Sequence, residues 1–471
     1  MNVEVTKKHD RGDLQYTWLS CKENKMNFRI FILFLSHHVI FITSKIINQN
    51  VERSIDLSTQ VVRETVKITA EDTEGIPFNA YNAVFHEDLA QHVSFVSAKH
   101  TSKKLAMRKM SAGSTNFIIT FPEAAPSHVF YIEVIYTSQI KPYPEEIKQA
   151  DKQFVRYTGP MYFYSAYKTR FQKTQVKLAT SNIISYTQVK PYAVSSNKIK
   201  YGPFEDIPGH SKELMTVHYE NQTPFMSVNR LERTIQVSHW GNIAVEENIY
   251  LTHTGAKLKG SFSRYEFQKD GRSGQASVKS YKTVLPASAF GVYYRDTNGN
   301  ISTSNMNVMK ESVELELRPR FPLFGGWKTQ YILGYNLPSF EYLFNSDDDY
   351  VLRMRVIDHI FDDMIVDEAV VKIILPEGCA SIQLIPPYSI RREADTLSYT
   401  YLDTFGRPTI VFSKHNMVEN HMSDLELKYK FPKILLLQEP ILIITFIFII
   451  FLFTVIFKRL DFSIAVHPHK E

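Results

Sequence analysis

Cysteine is nearly absent from this chain: its 471 residues include two, Cys21 and Cys379. Cys21 falls in a segment that reads as a removed leader, which leaves Cys379 alone and excludes an intramolecular disulfide from the rest. Small secreted domains depend on such bridges, but a chain of this length can bury two or three real cores without them. Cys379 therefore reads as a buried thiol. A surplus of one charge is also missing. The 54 Lys and Arg stand against 49 Asp and Glu, a formal net charge of +5, which leaves no electrostatic footprint for nucleic acid. His-Glu-x-x-His, Cys-x-x-Cys, a Walker loop and the Gly-x-Ser-x-Gly elbow are absent too. Their absence excludes the local signatures of zinc peptidases, redox proteins, P-loop NTPases and α/β-hydrolases. Gly271-Arg272-Ser273-Gly274 is one residue short of the elbow and reads as a turn. Long helical periods are scarce, and no internal sequence repeat is evident.

Aromatic residues are plentiful, 13% of the chain with 32 Phe and 26 Tyr, and they favour β-structure. Period-two runs dominate. Val313, Leu315 and Leu317 alternate with Glu314, Glu316 and Arg318. Leu352, Met354 and Val356 alternate with Arg353 and Arg355. Leu425, Leu427 and Tyr429 alternate with Glu426, Lys428 and Lys430. Each run has one apolar and one charged face, as in antiparallel sheets covered on one side. Val129 to Tyr136 is more uniformly apolar and is expected to lie deeper. Turn signals stand at Asp270-Gly271, Asn298-Gly299 and Pro376 to Gly378. Glu145 to Phe154 offers the best short helix, and Tyr201 to Gly209 reads as an ordered loop. The expected fold is mainly β: two tandem lumenal β-sandwich-like domains, residues 45–225 and 226–432, with a boundary in Asn221 to Arg230. A single transmembrane helix follows.

That helix is residues 440–457, PILIITFIFIIFLFTVIF, without a charged side chain. Its 18 residues rise about 27 Å, close to a thin hydrocarbon core. Near the start, residues 26–44 read as a signal peptide: Arg29 is the basic flank, Ile30 to Ile42 the apolar stretch and Ser44 a small residue for cleavage. Residues 1–25 read as an extension ahead of it, with Met26 the working start; a retained signal-anchor is the alternative. A cleaved leader places the bulk of the chain in the lumen and residues 458–471 in the cytosol. The positive-inside rule decides less, because Lys428, Lys430 and Lys433 precede the span while Lys458, Arg459 and Lys470 follow it.

Local chemistry is sparse, and no catalytic, cofactor-binding or metal-binding residue is assigned. His359, Asp362 and Asp363 lie close enough for a metal or acid–base role, but Ile360 and Phe361 between them suggest a strand end or turn. The acidic run Ser346 to Asp349 lacks the glycine and ligand spacing of a calcium loop. His239 beside Trp240 reads as structural. Two N-glycosylation sequons occur, Asn221-Gln222-Thr223 and Asn300-Ile301-Ser302. Asn300 sits in a turn, and Pro224 disfavours Asn221.

Several long blocks carry a resemblance. VSHWGNIAVEEN (Val237 to Asn248), SYKTVLPASA (Ser280 to Ala289), VYYRDTNGNIST (Val292 to Thr303) and FPLFGGWKTQYILGYNLP (Phe321 to Pro338) lead it. VKIILPEG (Val371 to Gly378), YTYLDTFGRP (Tyr399 to Pro408), LLLQEPIL (Leu435 to Leu442) and RLDFSI (Arg459 to Ile464) follow, with looser matches at KPYP (Lys141 to Pro144), YFYSAY (Tyr162 to Tyr167) and VHYENQTPF (Val217 to Phe225). Together they resemble the ribophorin I family, from about Ile55 to Ile464. The resemblance implies a non-catalytic subunit of the oligosaccharyltransferase complex of the endoplasmic reticulum membrane, single-pass type I. It implies partnership with the catalytic and accessory subunits, nascent polypeptides and the bilayer, no nucleic acid, and no cofactor on this chain. Animal members carry a cytosolic helical region, for which residues 458–471 are too short. On the family's role, Tyr162, Tyr164, Tyr167 or the Trp327 loop could serve as contact anchors, although core packing is the simpler reading of each. Two other readings remain: a cell-surface adhesion or receptor protein built of sandwiches, and a lumenal hydrolase with a non-local site that includes His359 or Asp362.

Overall fold

A computed structural model describes residues 45–100, 103–110, 116–269, 276–400 and 402–460. Residues 1–44, read from the sequence as an extension and a signal peptide, the tail from residue 461, and the turn expected at residues 270–274 lie outside the described residues. Strands dominate, and the residues from Lys45 onward form one compact unit. That unit holds two large hydrophobic cores, one drawn from Ile46 to Phe225 and the other from Met226 to Leu436.

The first core lies under an eight-stranded sheet ordered Tyr192–Ser195, Lys198–Ile207, Thr169–Leu178, Ile46–Leu57, Val62–Asp72, Ser127–Tyr136, Val93–His100, Lys103–Lys104. A four-stranded sheet and a three-stranded sheet supply the facing side chains, among them Tyr157, Val217, Tyr81 and Phe121. The second core repeats the plan. Its nine-stranded sheet runs Gly299–Asn300, Phe290–Asp296, Lys328–Pro338, Asn242–His253, Met226–Val237, Ile365–Ile374, Arg407–Val418, Arg391–Arg392, with Thr396–Ser398 also on Arg407–Val418. It too faces one four-stranded and one three-stranded sheet.

The correspondence is strand for strand. Ile46–Leu57 pairs antiparallel with the strand after it and parallel with Thr169–Leu178. Met226–Val237 pairs antiparallel with the strand after it and parallel with Ile365–Ile374. Both leading strands have 12 residues. Each has a register shift at its third to fifth residues, Asn48/Asn50 in one and Val228/Arg230 in the other. From the third residue on the buried positions coincide: Asn48, Val51, Arg53, Ile55 and Leu57 against Val228, Leu231, Arg233, Ile235 and Val237. The four-stranded sheets match in the same way. Phe154–Pro160 pairs with Leu214–Glu220 as Asp349–Arg355 pairs with Asp424–Lys430. This is a structural duplication that the sequence alone did not disclose.

Each duplicate carries a buried arginine at the same strand position. Arg53 Nε donates to Glu64 Oε1 at 2.6 Å, and its Nη1 donates to the Pro160 carbonyl at 2.7 Å. Arg233 Nη1 donates to Glu247 and, at 2.7 Å, to Asp358 Oδ2. In both halves the guanidinium ties the leading strand to the end of the equivalent strand of the four-stranded sheet or just past it, at Pro160 and Met161 in one and Asp358 in the other.

The halves stack end to end. Gln60, in the hairpin turn after Ile46–Leu57, accepts from Met226 N at 2.6 Å and donates to the Asp363 carbonyl at 2.7 Å. Thr137 Oγ1 donates to Asn416 Oδ1 at 2.7 Å. A small apolar cluster of Val61, Ile135, Ile365 and Val418 closes the joint, with Phe95 against it.

Three local expectations are corrected. Glu145 to Phe154 forms no helix: Glu146–Ile147 pairs with Lys257–Leu258 of the second half, and Gln149 and Gln153 are engaged by Ser263, Ala256 and Asn221. Tyr201 to Gly209 is largely strand, not loop, with Pro203 beside a register shift, where a strand tolerates proline. Val129 to Tyr136 is not uniformly deep, because Val129 and Tyr131 point to the outer face while Phe130, Ile132 and Val134 are buried. The three alternating runs singled out in the sequence are strands with the expected inward faces.

The second half is followed by a helix, Gln438–Arg459, of 22 residues and about 33 Å. Among the described residues it is the single helix long and apolar enough to cross a membrane, and none of its apolar window is buried. A core helix would hide that surface. Pro440 falls in the first turn, where its missing N–H costs nothing, and Thr454 Oγ1 returns a hydrogen bond to the Ile450 carbonyl at 2.8 Å.

Candidate functional site

The residues with potential chemistry are spoken for locally. His359 Nε2 lies 3.2 Å from Asp362 Oδ1, but Asp363 turns away to accept from Arg63 Nη2 at 2.6 Å across the joint. The DHIFDD segment is thus a docking corner between halves. No group of three or more potential metal ligands occurs among the described residues. Asp347 and Asp348 form the exposed turn of the hairpin Leu343–Ser346 and Asp349–Arg355. His239 stacks on Tyr350 and Tyr429, its Nε2 2.8 Å from the Tyr429 hydroxyl. Burial lowers its pKa to about 4, so it stays neutral. Cys379 packs against the second core, and burial pushes its thiol up to about 12.

The candidate aromatic anchors are packed. Trp327 sits edge-on to Phe262 and Phe324. Tyr162 packs on Phe204, Tyr164 on His86 and His210, and Tyr167 on Tyr81. The two sequons differ sharply. Asn221 is 0% exposed, accepting from Thr223 N and Oγ1 and donating toward the Ser58 carbonyl. Asn300 is exposed beside the Gly299 turn.

The arrangement that stands out was not singled out from the sequence. It is a polar clasp at the root of the apolar helix. Glu377, after strand Ile365–Ile374, accepts from Thr404 N at 2.8 Å, from Gly406 N at 2.9 Å and from Phe405 N through Oε1. Its other oxygen accepts from Gln438 Nε2 at 2.6 Å. Burial alone would raise the Glu377 pKa, but the N–H donors of that loop outweigh it and hold the carboxyl below its usual range. Arg407 Nη2 donates to Glu439 Oε1 at 2.9 Å while its Nε holds Asp403. Gly378 has φ +85°, and a Cβ there would lie 2.4 Å from Leu435 Cδ1. The clasp joins residues some thirty to sixty positions apart, so no periodicity announces it; LLLQEPIL and VKIILPEG, where half of it resides, show only as matched blocks. The buried arginines were more accessible. In MSVNRLERTIQV, Leu231, Arg233, Ile235 and Val237 share one phase, which puts Arg233 on the inward face.

The geometry is that of a folded body rooted on one apolar helix long enough to cross a membrane, and comparison with known proteins agrees. The ribophorin I family matches residues 46–458, through both halves and the helix. Dolichyl-diphosphooligosaccharide–protein glycosyltransferase subunit 1 of Caenorhabditis elegans is 37% identical over 431 residues, covering 90% of this chain and 74% of the nematode protein. Subunit 1A of Arabidopsis thaliana is 33% identical over 442 residues, covering 90% of this chain and 71% of its own. Subunit 1B of Oryza sativa subsp. japonica is 34% identical over 437 residues, covering 88% and 91%. A solved two-domain M1 zinc metallopeptidase shares 9% identity at a TM-score of 0.28 over 44% of this chain and 42% of its own, too loose to carry a conclusion. The chain belongs to the ribophorin I family.

Proposed function

We propose that this protein is a subunit of the oligosaccharyltransferase that moves a lipid-linked oligosaccharide to asparagine, and that it contributes assembly and substrate presentation while bond-making lies elsewhere in the complex. The observation that carries this is the family match over residues 46–458, which spans both halves and nearly all of the apolar helix. The named relatives are glycosyltransferase subunits. The non-catalytic reading draws support from the side chains themselves: His359, His239 and Cys379 are committed to packing or to the joint. A lumenal body rooted on one helix in the endoplasmic reticulum membrane fits that role, with other subunits, nascent chains and lipid as its neighbours.

The test is isolation of the tagged chain from microsomes in mild detergent, together with glycopeptide profiling after its depletion. Co-isolation with a catalytic transferase subunit and underglycosylation of a subset of membrane and secreted proteins are expected. Isolation as a free monomer, with an unchanged glycopeptide profile, would overturn the proposal. An endoglycosidase-H-sensitive glycan at Asn300 would report the lumenal side.

A further inference from the structure

The duplication poses a question about one end of the molecule. In the first half the hairpin turn Ser58 to Val61 and its neighbouring strand ends are covered by the second half, through Gln60, Val61, Ile135 and Phe95. The equivalent turn of the second half is Ser238 to Gly241, where Trp240 takes the place of Gln60. Within the described residues no third half covers it. What stands beside it is the root of the apolar helix: Trp240 lines one cleft with Leu435, Leu436, Gln438 and Glu439.

That end carries four exposed aromatic side chains beside the polar clasp. Trp240 is 66% exposed, Phe340 76%, Phe405 79% and Phe290 52%. The sheet order places them in a row. Phe290 opens its strand, Phe340 follows strand Lys328–Pro338, Trp240 caps the Met226–Val237 hairpin, and Phe405 precedes strand Arg407–Val418. Ser339 N donates to the Gly241 carbonyl at 3.1 Å, so Phe340 and Trp240 sit on touching loops. From the first of these strands to the last is five strand spacings, about 24 Å. The clasp ties the Phe405 end of this row to the helix root. Thr404 Oγ1 accepts from Gln438 Nε2 at 2.8 Å, next to Phe405 and two residues before Pro440, where the uncharged span begins.

A tryptophan beside the root of an apolar helix is what the headgroup region of a bilayer favours, and exposed Phe next to it suits burial at the headgroup–acyl boundary. We infer that this end of the second half rests on the membrane surface, with Trp240, Phe340 and Phe405 seated at the headgroup–acyl boundary. The occupant is lipid, because the row is continuous with the residues that enter the bilayer. The body is then held by two attachments, the helix and the aromatic row, and stands at a fixed tilt. This rests on the helix crossing a membrane and not on membership of any complex.

The test uses the full chain with Trp18 and Trp327 changed to Phe, which leaves Trp240 as the single tryptophan of the three. It is reconstituted into phosphatidylcholine vesicles whose acyl chains carry bromine near the headgroup or deep in the chain. Flotation after alkaline carbonate confirms that the helix is inserted. Trp240 fluorescence is expected to fall at least twofold with shallow bromine and much less with deep bromine. Floating protein whose Trp240 is unquenched by either lipid would overturn the inference and leave the anchor reading intact. A second arm places a photocrosslinking residue at position 240 in the intact microsomal assembly. Adducts to phospholipid support the inference; adducts to a protein neighbour in place of lipid refute it.

Discussion

Removing the guanidinium from the second core gives a steep and calculable prediction. Arg233, Glu247 and Asp358 are each 1% exposed, and Tyr335 completes the set by donating to Asp358 and accepting from Arg233 Nη2 at 3.2 Å. One cation therefore faces two carboxyls. Burial first, and the Asp358 charge beside it, raise the Glu247 pKa to about 7 although Arg233 pulls the other way. Glu247 Oε2 and Asp358 Oδ1 have no hydrogen-bond partner, which deepens the penalty on charge there. Arg233→Met keeps most of the side-chain volume and leaves two buried carboxyls without a cation. Breaking such a pair costs about 3–5 kcal/mol. A second route gives a similar figure: neutralising one carboxyl at pH 7, from an unfolded pKa near 4, costs about 4 kcal/mol. A carboxyl whose folded pKa lies above its unfolded value stabilises the fold below the unfolded pKa and loses that contribution as pH rises through the folded pKa. The deficit of R233M should therefore shrink as pH falls from 7 toward 5, by about 1.4 kcal/mol per unit for each extra proton held. Urea unfolding of the full chain in detergent, at pH 7 and pH 5, measures both terms. R233M/E247Q/D358N, which removes all three charges, should recover most of the loss. A variant R233M within 1 kcal/mol of wild type at pH 7, or one with the wild-type pH slope, would refute the reasoning.

Three further outcomes are expected. Asn300→Gln should remove one endoglycosidase-H-sensitive step in gel mobility, whereas Asn221→Gln should leave mobility unchanged and lower stability by about 1–3 kcal/mol, because Asn221 is buried and bonded to Thr223. Glu377→Gln should speed amide hydrogen exchange at Thr404, Phe405 and Gly406 at neutral pH. The Glu377 carboxyl is held below its usual range, so its contribution is present above the unfolded pKa, about 4.3, and is lost as pH falls through the folded value; wild-type protein at lower pH should then exchange like the variant. Gly378→Ala meets both a positive φ and the Leu435 side chain, and should cost about 1–2 kcal/mol, read as a lowered melting midpoint.

Much of the fold was legible, and the reasons for the remainder are physical. Runs such as Ser312–Leu317 and Asp424–Lys430 show their inward faces because strand pairing to a half-covered sheet imposes a strict period of two. The duplication was hidden because it conserves register and burial, not residue type: Asn48 matches Val228 and Gln60 matches Trp240, while the shared Arg53 and Arg233 interrupt the apolar phase that marks a strand. Glu145 to Phe154 misled because its local composition suits a helix, while its backbone is claimed by Lys257–Leu258 over a hundred residues away. The anchor helix was legible from hydropathy alone, and the clasp that fixes its root was not, since Glu377, Arg407 and Gln438 meet only in space.

The end-to-end joint allows a sharper test of how the halves cooperate. Val61 is 2% exposed within the apolar cluster shared with Ile135, Ile365 and Val418, and it occupies a turn and not a strand. Val61→Asp therefore places a charge in the joint while leaving both cores and every sheet pairing of the leading strands intact. Its burial as an unpaired carboxylate would cost several kcal/mol, more than the hydrogen bonds of Gln60 and Asn416 across the joint return at about 1 kcal/mol each. The halves should then separate before either core melts. Urea unfolding should change from one transition to two, with exchange protection lost first at the Met226 amide, which Gln60 holds across the joint. The strands flanking Arg53 and Arg233 should stay protected to higher denaturant. A single transition with an unchanged slope would mean that the two cores are coupled through the sheets and the Lys257–Leu258 pairing and not through this joint.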